Sequence, residues 1–263
     1  MALAMQKLPT LSVCMIAGAE ASRIERALES VHAWAGEIIL VLNADVKDGT
    51  DSIAARFGAK VFREPWKGFV GQKNSVADKA SGAWLLNLDA DEIVSGPLAE
   101  EIARVVTAPQ VSHLAFEFPR CTFYCGRWIR HGDWYPDRVC RLWRRGLARW
   151  AGEEPHARLE VNGAIGRLRS DLLHHSNESI TRQIAKITPY HADFVQRHVQ
   201  NGRPAGFFEL LVRPGWRFLR AYILRLGFLD GWQGYYIAAV SSFSTLTRYA
   251  MVRESQEPGR EKT

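Results

Sequence analysis

Residues Trp84 to Glu92 read WLLNLDADE, an apolar run that ends in Asp89, Asp91 and Glu92. Three carboxylates within four positions repel one another unless positive charge sits among them. Carboxylates are hard oxygen ligands, suited to Mg²⁺ or Mn²⁺. The plainer alternative is a solvated strand end that runs into the acidic first turn of a helix.

The elements that must position these groups can be read from the hydrophobic pattern. LSVCMIA is a strand, and EASRIERALESVHAW has helical spacing at Ile24, Ala27, Leu28 and Val31. EIILVLN is a continuous apolar run, fit for a strand buried on both faces. DGTDSIAARFG starts a helix that Gly58 stops, AKVFRE is the next strand, and GFVGQKNSVADKASG is a helix between glycines. AWLLNLD follows as a strand, then a helix from about Pro97 to Val106 with proline in its first turn. Strands alternating with helices of this length predict a parallel, doubly wound sheet. In such sheets ligands bind beyond the carboxyl ends of the strands. Asp89 and Asp91 stand at that edge, with Glu20 after the first strand, Asn43 and Asp45 after the second, and Glu64 after the third. There is no G-x-x-x-x-G-K-[ST] and no G-x-G-x-x-G after the first strand, so neither a P-loop nor the dinucleotide fingerprint is expected.

The composition is that of an ordinary folded protein, 47% hydrophobic and 24% charged. MALAMQKLPT lacks an apolar core of useful length, so no leader peptide is expected. Cys14, Cys121, Cys125 and Cys140 show no close zinc-ligand spacing and read as reduced, structural thiols. Residues 1–110 hold 11 Lys/Arg against 14 Asp/Glu, whereas residues 111–263 hold 23 against 14. The positive excess therefore lies in the second part and suggests an anionic partner.

Past residue 110 the texture changes. HLAFEFPR and RVCRLWRR read as strands around CTFYCGRWIRHGDWYPD, an aromatic loop too long to be a simple connection. ARWAGEEPHARLEVNG follows, then LRSDLLHHSNESI, which ends a strand before a long helix through Phe194. From Gly206 the chain is aromatic and arginine-rich. Its longest charge-free run, Gly231–Thr247, is 17 residues with several Ser, Thr and Gly, too polar for a spanning helix. Two amphipathic helices with Trp, Tyr and Arg fit a membrane surface; a helical subdomain or a dimer interface are the alternatives.

W-x-G-F at Trp66–Phe69, then Q-K-N at Gln72–Asn74, then L-D-A-D-E at Leu88–Glu92, in that order and spacing, resemble the inverting family 2 glycosyltransferases of GT-A fold. Within them the chain is most similar to the branch that builds lipopolysaccharide core, the glucosyl- and heptosyltransferase-like enzymes. The likeness extends through WYPDRVCRLWRR to GFLDGWQG. It implies a GT-A domain over residues 1–200 and an amphipathic helical region over 201–263. It also implies a nucleotide-sugar donor, a glycan or glycolipid acceptor, Mg²⁺ or Mn²⁺ as cofactor, and no nucleic acid. The expected location is cytoplasmic, peripheral at the inner-membrane surface.

By the same resemblance Asp91 is the metal ligand and Asp89 lies nearer the donor ribose. Breaking the bond to a diphosphate develops negative charge on the leaving group, which a cation stabilises. Lys73 adds positive charge near the phosphates, and Glu20, Asn43 and Asp45 complete the donor side. His156, in EEPHARLE, matches a family histidine on a loop over the donor and is a second metal candidate. Asp137, Arg138 and Arg141 form an acceptor-side cluster. The general base that an inverting transfer needs is sought among Asp133, Asp137, Glu153 and Glu154, with Asp137 favoured. The chain departs from the family pattern at Ala19, at Asn43 (where an aspartate usually reads the base) and at Ala157. Asn offers a donor and an acceptor instead of a charge.

Those departures leave one alternative standing, a lapsed GT-A domain acting as a binding module. A haloacid-dehalogenase-type phosphotransferase is disfavoured by Ile93 and by the motif's place after the fourth strand. Nucleic-acid binding is disfavoured by arginines that alternate with apolar residues and by the lack of a known module.

Overall fold

The computed structural model describes residues 6–153, 157–175, 179–185, 187–202 and 204–256. They form two compact units. The first holds the chain up to Cys121 together with Asp137–His175; the second holds Thr122–Pro136 and the chain after His175.

The first unit opens with β1 (Leu8–Ala17), α1 (Ile24–Glu29), β2 (Ala35–Asn43), α2 (Thr50–Arg56), β3 (Lys60–Glu64), α3 (Gly68–Asp78) and β4 (Trp84–Asn87). The four strands pair in parallel in the order β3-β2-β1-β4. Successive residues of each strand serve opposite faces, as a pleat requires. Val13, Met15, Ile38, Leu40 and Leu42 join Trp84 and Leu86 in one core, closed by Ile24, Ala27 and Leu28 of α1, by Val31 in the turn after it and by Ala54 of α2. Cys14, Ile39, Val41 and Leu85 pack on the other face against Val76 of α3. β1 is thus buried on both sides, which is why its sequence is nearly all apolar.

After β4 the pattern turns mainly antiparallel. β5 (Glu92–Val94) and α4 (Gly96–Thr107) lead to β6 (Ala115–Tyr124), whose last three residues belong to the second unit. Ser95 caps α4 by accepting the Leu98 N–H at 3.3 Å. The chain continues through β7 (Arg127–Ile129), β8 (Asp137–Arg144), β9 (Ala148–Ala151), β10 (Arg158–Val161), β11 (Ile165–Arg167) and β12 (Leu172–His174). The sheet runs on from β4 as β8-β6-β12-β5, with β8 antiparallel to both β4 and β6 and β12 antiparallel to β5. β9 and β10 form a separate antiparallel ribbon. Trp150 of that ribbon stands edge-on to Trp143 of β8, ring centroids 6.2 Å apart.

The second unit is mostly helical: α5 (Ile180–Ala185), α6 (Ile187–Gln200), α7 (Arg213–Leu219) and α8 (Gly231–Gln256). π-helical turns, Phe208–Val212 and Arg220–Leu224, flank α7. The end of β6 pairs with β7 as a hairpin, Thr122 opposite Ile129. Tyr124 and Ile129 of that hairpin pack with Ile237 of α8, and Tyr249 and Val252 pack with Ala205, Phe194 and Leu210.

Candidate functional site

In the parallel half, the chain leaves β1 towards β2 and β3 and then returns to β4 on the other side of β1. That reversal of strand order opens a crevice at the carboxyl ends. A cleft of about 670 Å³ lies there, lined by Ile16 to Gly18, Glu20, Arg23, Asn43, Asp45, Trp66, Phe69, Lys73 and Asp89 to Asp91. Six residues read from the sequence as donor or metal groups, namely Glu20, Asn43, Asp45, Lys73, Asp89 and Asp91, meet in this one cleft.

The three crowded carboxylates part company. The Glu92 N–H donates to the Asp89 carbonyl at 3.0 Å, closing a tight turn between β4 and β5. Asp89 and Asp91 line the cleft, while Glu92 starts β5 and is fully buried. No helix begins at Glu92, so the acidic-first-turn alternative does not hold.

Asp89 is held by two cations, Lys73 Nζ at 3.1 Å from Oδ1 and Arg141 Nη2 at 2.7 Å from Oδ2. Burial alone would raise its pKa, but Arg141 and Lys73 outweigh burial and hold it well below the usual carboxylate range. Arg141 also donates to Asn87 Oδ1 at 2.6 Å and to Glu92 Oε1 at 3.3 Å. Its burial works against its charge, yet Asp89 and Glu92 raise its pKa above the ordinary arginine value. Lys73 is buried, which lowers its pKa against the pull of Asp89; its Nζ lies 4.6 Å from the Trp150 ring centroid. The carboxylate of Glu92 closes the network by accepting the Asp89 N–H at 3.0 Å.

Asp91 faces different partners. His174 Nε2 lies 3.5 Å and Arg23 Nη1 3.8 Å from its Oδ2. Burial would raise the Asp91 pKa, and the contact with His174 more than reverses this. Arg23 in turn is paired with Glu20, and that hydrogen bond raises the Arg23 pKa. Asn43 Oδ1 accepts from Gln72 Nε2 at 3.3 Å, and Asn43 Nδ2 lies beside Gly18 at the cleft wall.

The remaining sequence candidates fall elsewhere. Asp137 opens β8, outside the cleft lining, and its Oδ2 accepts from Arg120 Nε at 2.9 Å and Nη2 at 2.6 Å. Arg141 stands behind Asp89 instead of with an acceptor-side cluster, because β8 pairs directly with β4. Glu153 is exposed in the bend after β9. Glu154 and His156 lie outside the described residues. Glu64 is taken by Lys67, Lys79 and Ser75 and does not line the cleft. Asp133 is in the second unit, its side chain 2% exposed, with Arg217, Arg220 and Arg225 on its oxygens, so its carboxylate is spent on holding those arginines.

Sequence reading missed Arg23 and His174. Arg23 sits within an ordinary amphipathic helix start and carries no signal of its own. His174 is 83 positions from Asp91; only the pairing of Leu172–His174 with Glu92–Val94 brings it near.

Among the described residues, no three His, Cys, Asp or Glu side chains converge to hold a metal ion. The donor set fits a cation only in part. Both Asp89 oxygens are occupied by cationic groups, whereas Asp91 and His174 place a carboxylate and an imidazole 3.5 Å apart, the two side-chain types that ligate divalent ions.

Residues 12–172 match the family model Glycosyl transferase family 2. The uncharacterized glycosyltransferase RP128 of Rickettsia prowazekii is 30% identical over 260 residues, 93% of this chain and 87% of that protein. The lipopolysaccharide core biosynthesis glycosyltransferase LpsC of Rhizobium meliloti is 27% identical over 259 residues, 93% of this chain and 94% of that one. Among solved structures, the mannosyltransferase PcManGT from Pyrobaculum calidifontis, in complex with GDP-Man and Mn²⁺, matches with a TM-score of 0.55 at 12% identity. It covers 96% of this chain and 90% of that one. S. aureus TarS 1–349 in complex with UDP-GlcNAc matches with a TM-score of 0.51 at 15% identity, covering 94% of this chain and 91% of that one. At such identities these two structures speak to the fold alone, which is GT-A.

Proposed function

The chain belongs to glycosyl transferase family 2, and from that premise we propose an inverting, metal-assisted transfer of a hexose or heptose from a nucleotide-sugar donor. The acceptor is a lipopolysaccharide-core or other cell-envelope glycan. The observation that carries the reading is the gathering of Glu20, Asn43, Asp45, Lys73, Asp89 and Asp91 around one cleft at the strand-order switch. The LPS-core relative supports the acceptor class. The two donors named with the solved structures, GDP-Man and UDP-GlcNAc, carry different bases and leave the donor nucleotide open.

In this reading Asn43, with its carbonyl already accepting from Gln72, turns its amide towards the base. Asp89 remains ionised between Lys73 and Arg141 and accepts from the ribose hydroxyls. Lys73 and Arg23 bring positive charge to the diphosphate. Asp91 and His174 are the residues that would hold a divalent ion, and such an ion would supply positive charge against the charge that develops on the departing diphosphate. Asp137, positioned by Arg120, takes the proton from the acceptor hydroxyl as the sugar is displaced in line.

The test is release of nucleoside diphosphate from labelled donor sugars in the presence of envelope lipid extract, with and without EDTA. Turnover with one donor class, lost in EDTA and in Asp91→Ala, is the expected outcome. Turnover that persists in both overturns the metal-assisted reading. No turnover with any donor, together with nucleotide binding, favours the lapsed-domain alternative.

A further inference from the structure

The second unit breaks the usual rule of burial. Phe207, Phe208, Leu211, Val212, Trp216, Leu219, Ile223 and Leu224 are all exposed, Phe207 to 72% and Trp216 to 54%. They are not scattered. Val212, Trp216, Leu219 and Ile223 recur at steps of four, three and four, which is one face of a helix. Pro214 and Ala221, on the other side, are the buried positions of the same stretch. This helix therefore turns its apolar stripe outwards, the reverse of a helix packed on a core.

A second apolar group lies at the connection to α8, where Leu226, Phe228, Leu229 and Trp232 are exposed. This tip is held firmly. Asp230 is buried and accepts the N–H groups of Arg130 at 2.9 Å and His131 at 2.7 Å. Gln233 Nε2 donates to the Cys125 carbonyl at 3.0 Å. At Gly234 any Cβ would meet the Gly227 carbonyl oxygen at 1.9 Å, so only glycine admits so close a turn. The GFLDGWQG sequence is thus a clasp that fixes bulky side chains facing out.

Charge runs beside the stripe. Arg213, Arg217 and Arg220 follow one another at steps of four and three, and Arg225 ends the stretch. Against the four stand Glu209, near Arg213, and the buried Asp133, which draws in Arg217, Arg220 and Arg225. Three guanidiniums, each partly exposed, share one carboxylate, and the surplus charge is positive. Among the described residues no helix is long and apolar enough to cross a membrane.

We propose that the face formed by Phe207–Leu224 and the tip Leu226–Trp232 docks on an anionic phospholipid bilayer, lying in its surface. The apolar stripe and tip enter the boundary of headgroups and chains, Trp216 and Trp232 sit at its polar edge, and the arginines meet lipid phosphates. An outward apolar stripe alone would fit a protein partner as well. The flanking row of under-neutralised arginines is what selects an anionic, planar occupant. This assignment does not rest on the donor-site reading, which concerns other residues.

The experiment is co-sedimentation of the full chain with vesicles of phosphatidylcholine alone and of equimolar phosphatidylcholine and phosphatidylglycerol, at low and high salt. The wild type sediments with the anionic vesicles, less so at high salt, and poorly with the neutral ones. Leu219→Glu/Ile223→Glu, and separately Phe228→Ser/Trp232→Ser, each weaken that binding by more than about tenfold. Both variants are checked for a native circular-dichroism spectrum; the second pair lies on a different segment and guards against misfolding of the first. The proposal is overturned if the wild type stays in the supernatant with both vesicles or binds both equally. It is also overturned if both variants bind as the wild type does. Elution of the wild type as a dimer that Leu219→Glu/Ile223→Glu converts to monomer, without vesicle binding, would show that a second copy covers this face instead.

Discussion

The two units use charge and apolar surface in opposite ways. In the first, apolar residues close two cores on either side of the sheet, and Asp89, Asp91, Glu20 and Asp45 line an open cleft. In the second, the carboxylates of Asp133 and Asp230 are buried as fastenings, and Phe, Trp and Leu side chains are left in the open. The contrast teaches where to look for partners. Cleft-lining carboxylates of which Asp89 and Asp91 are held ionised by neighbouring side chains fit a site that handles phosphates and hydroxyls. Exposed apolar groups beside arginines belong to a surface that meets something both greasy and anionic.

The largest effect that would break this comparison is expected at Asp91. Asp91→Ala should lower transfer by more than about 100-fold while leaving the melting temperature near that of the wild type, because its side chain lines a cleft and fills no core. A loss of fold instead would make Asp91 a fastening like Asp133. The converse holds for Asp133→Ala, which strands three arginines. It should cost about 2 kcal/mol, below the value for fully buried pairs because the arginines are partly exposed, with little change in donor KM. Thermal unfolding together with steady-state kinetics separates the two cases.

A smaller effect sharpens the account of the cleft. Lys73→Met removes one of the two cations on Asp89 and should raise donor KM about tenfold, since Arg141 still holds the other oxygen. An unchanged KM would place the donor away from Lys73.

Smaller still is the response to acid of a carboxylate that has no part in the site. Glu37 binds Ser12 Oγ, Ser81 and Lys60. Burial opposes its charge, but the bonds from Lys60, Ser12 and Ser81 bring its pKa down from 4.5 to about 2. A folded-state pKa below the unfolded value means that its contribution is complete above pH 4.5 and disappears as the pH falls towards about 2. Glu37→Gln should therefore unfold more easily than the wild type at neutral pH, with the difference shrinking through that window in denaturant titrations.

Much of the first unit could be read from the chain because its signals are local. EIILVLN is apolar on both faces because β2 is covered on both, and the strand ends then fix where Asn43, Asp45, Asp89 and Asp91 emerge. What was hidden depends on pairing between distant short strands. β5 and β12 have three residues each, too few for any period, yet their register brings His174 to Asp91. Arg141 reads as an acceptor-side group because it lies close to Asp137 and Arg138 in WYPDRVCRLWRR; the antiparallel pairing of β8 with β4 sends it behind Asp89 instead. The aromatic loop around Asp133 gave no hint of its partners, since Arg217, Arg220 and Arg225 lie more than eighty positions away.

The central claim is that the carboxylate-lined cleft binds a nucleotide. Its most direct test is thermal stabilisation of the purified protein by UDP, GDP, ADP and CMP, each with and without Mn²⁺, in wild type and Asp91→Ala. Stabilisation by one nucleotide that needs Mn²⁺ and disappears in the variant is the expected result. Stabilisation that ignores both Mn²⁺ and the substitution, or none from any of the four, would contradict it.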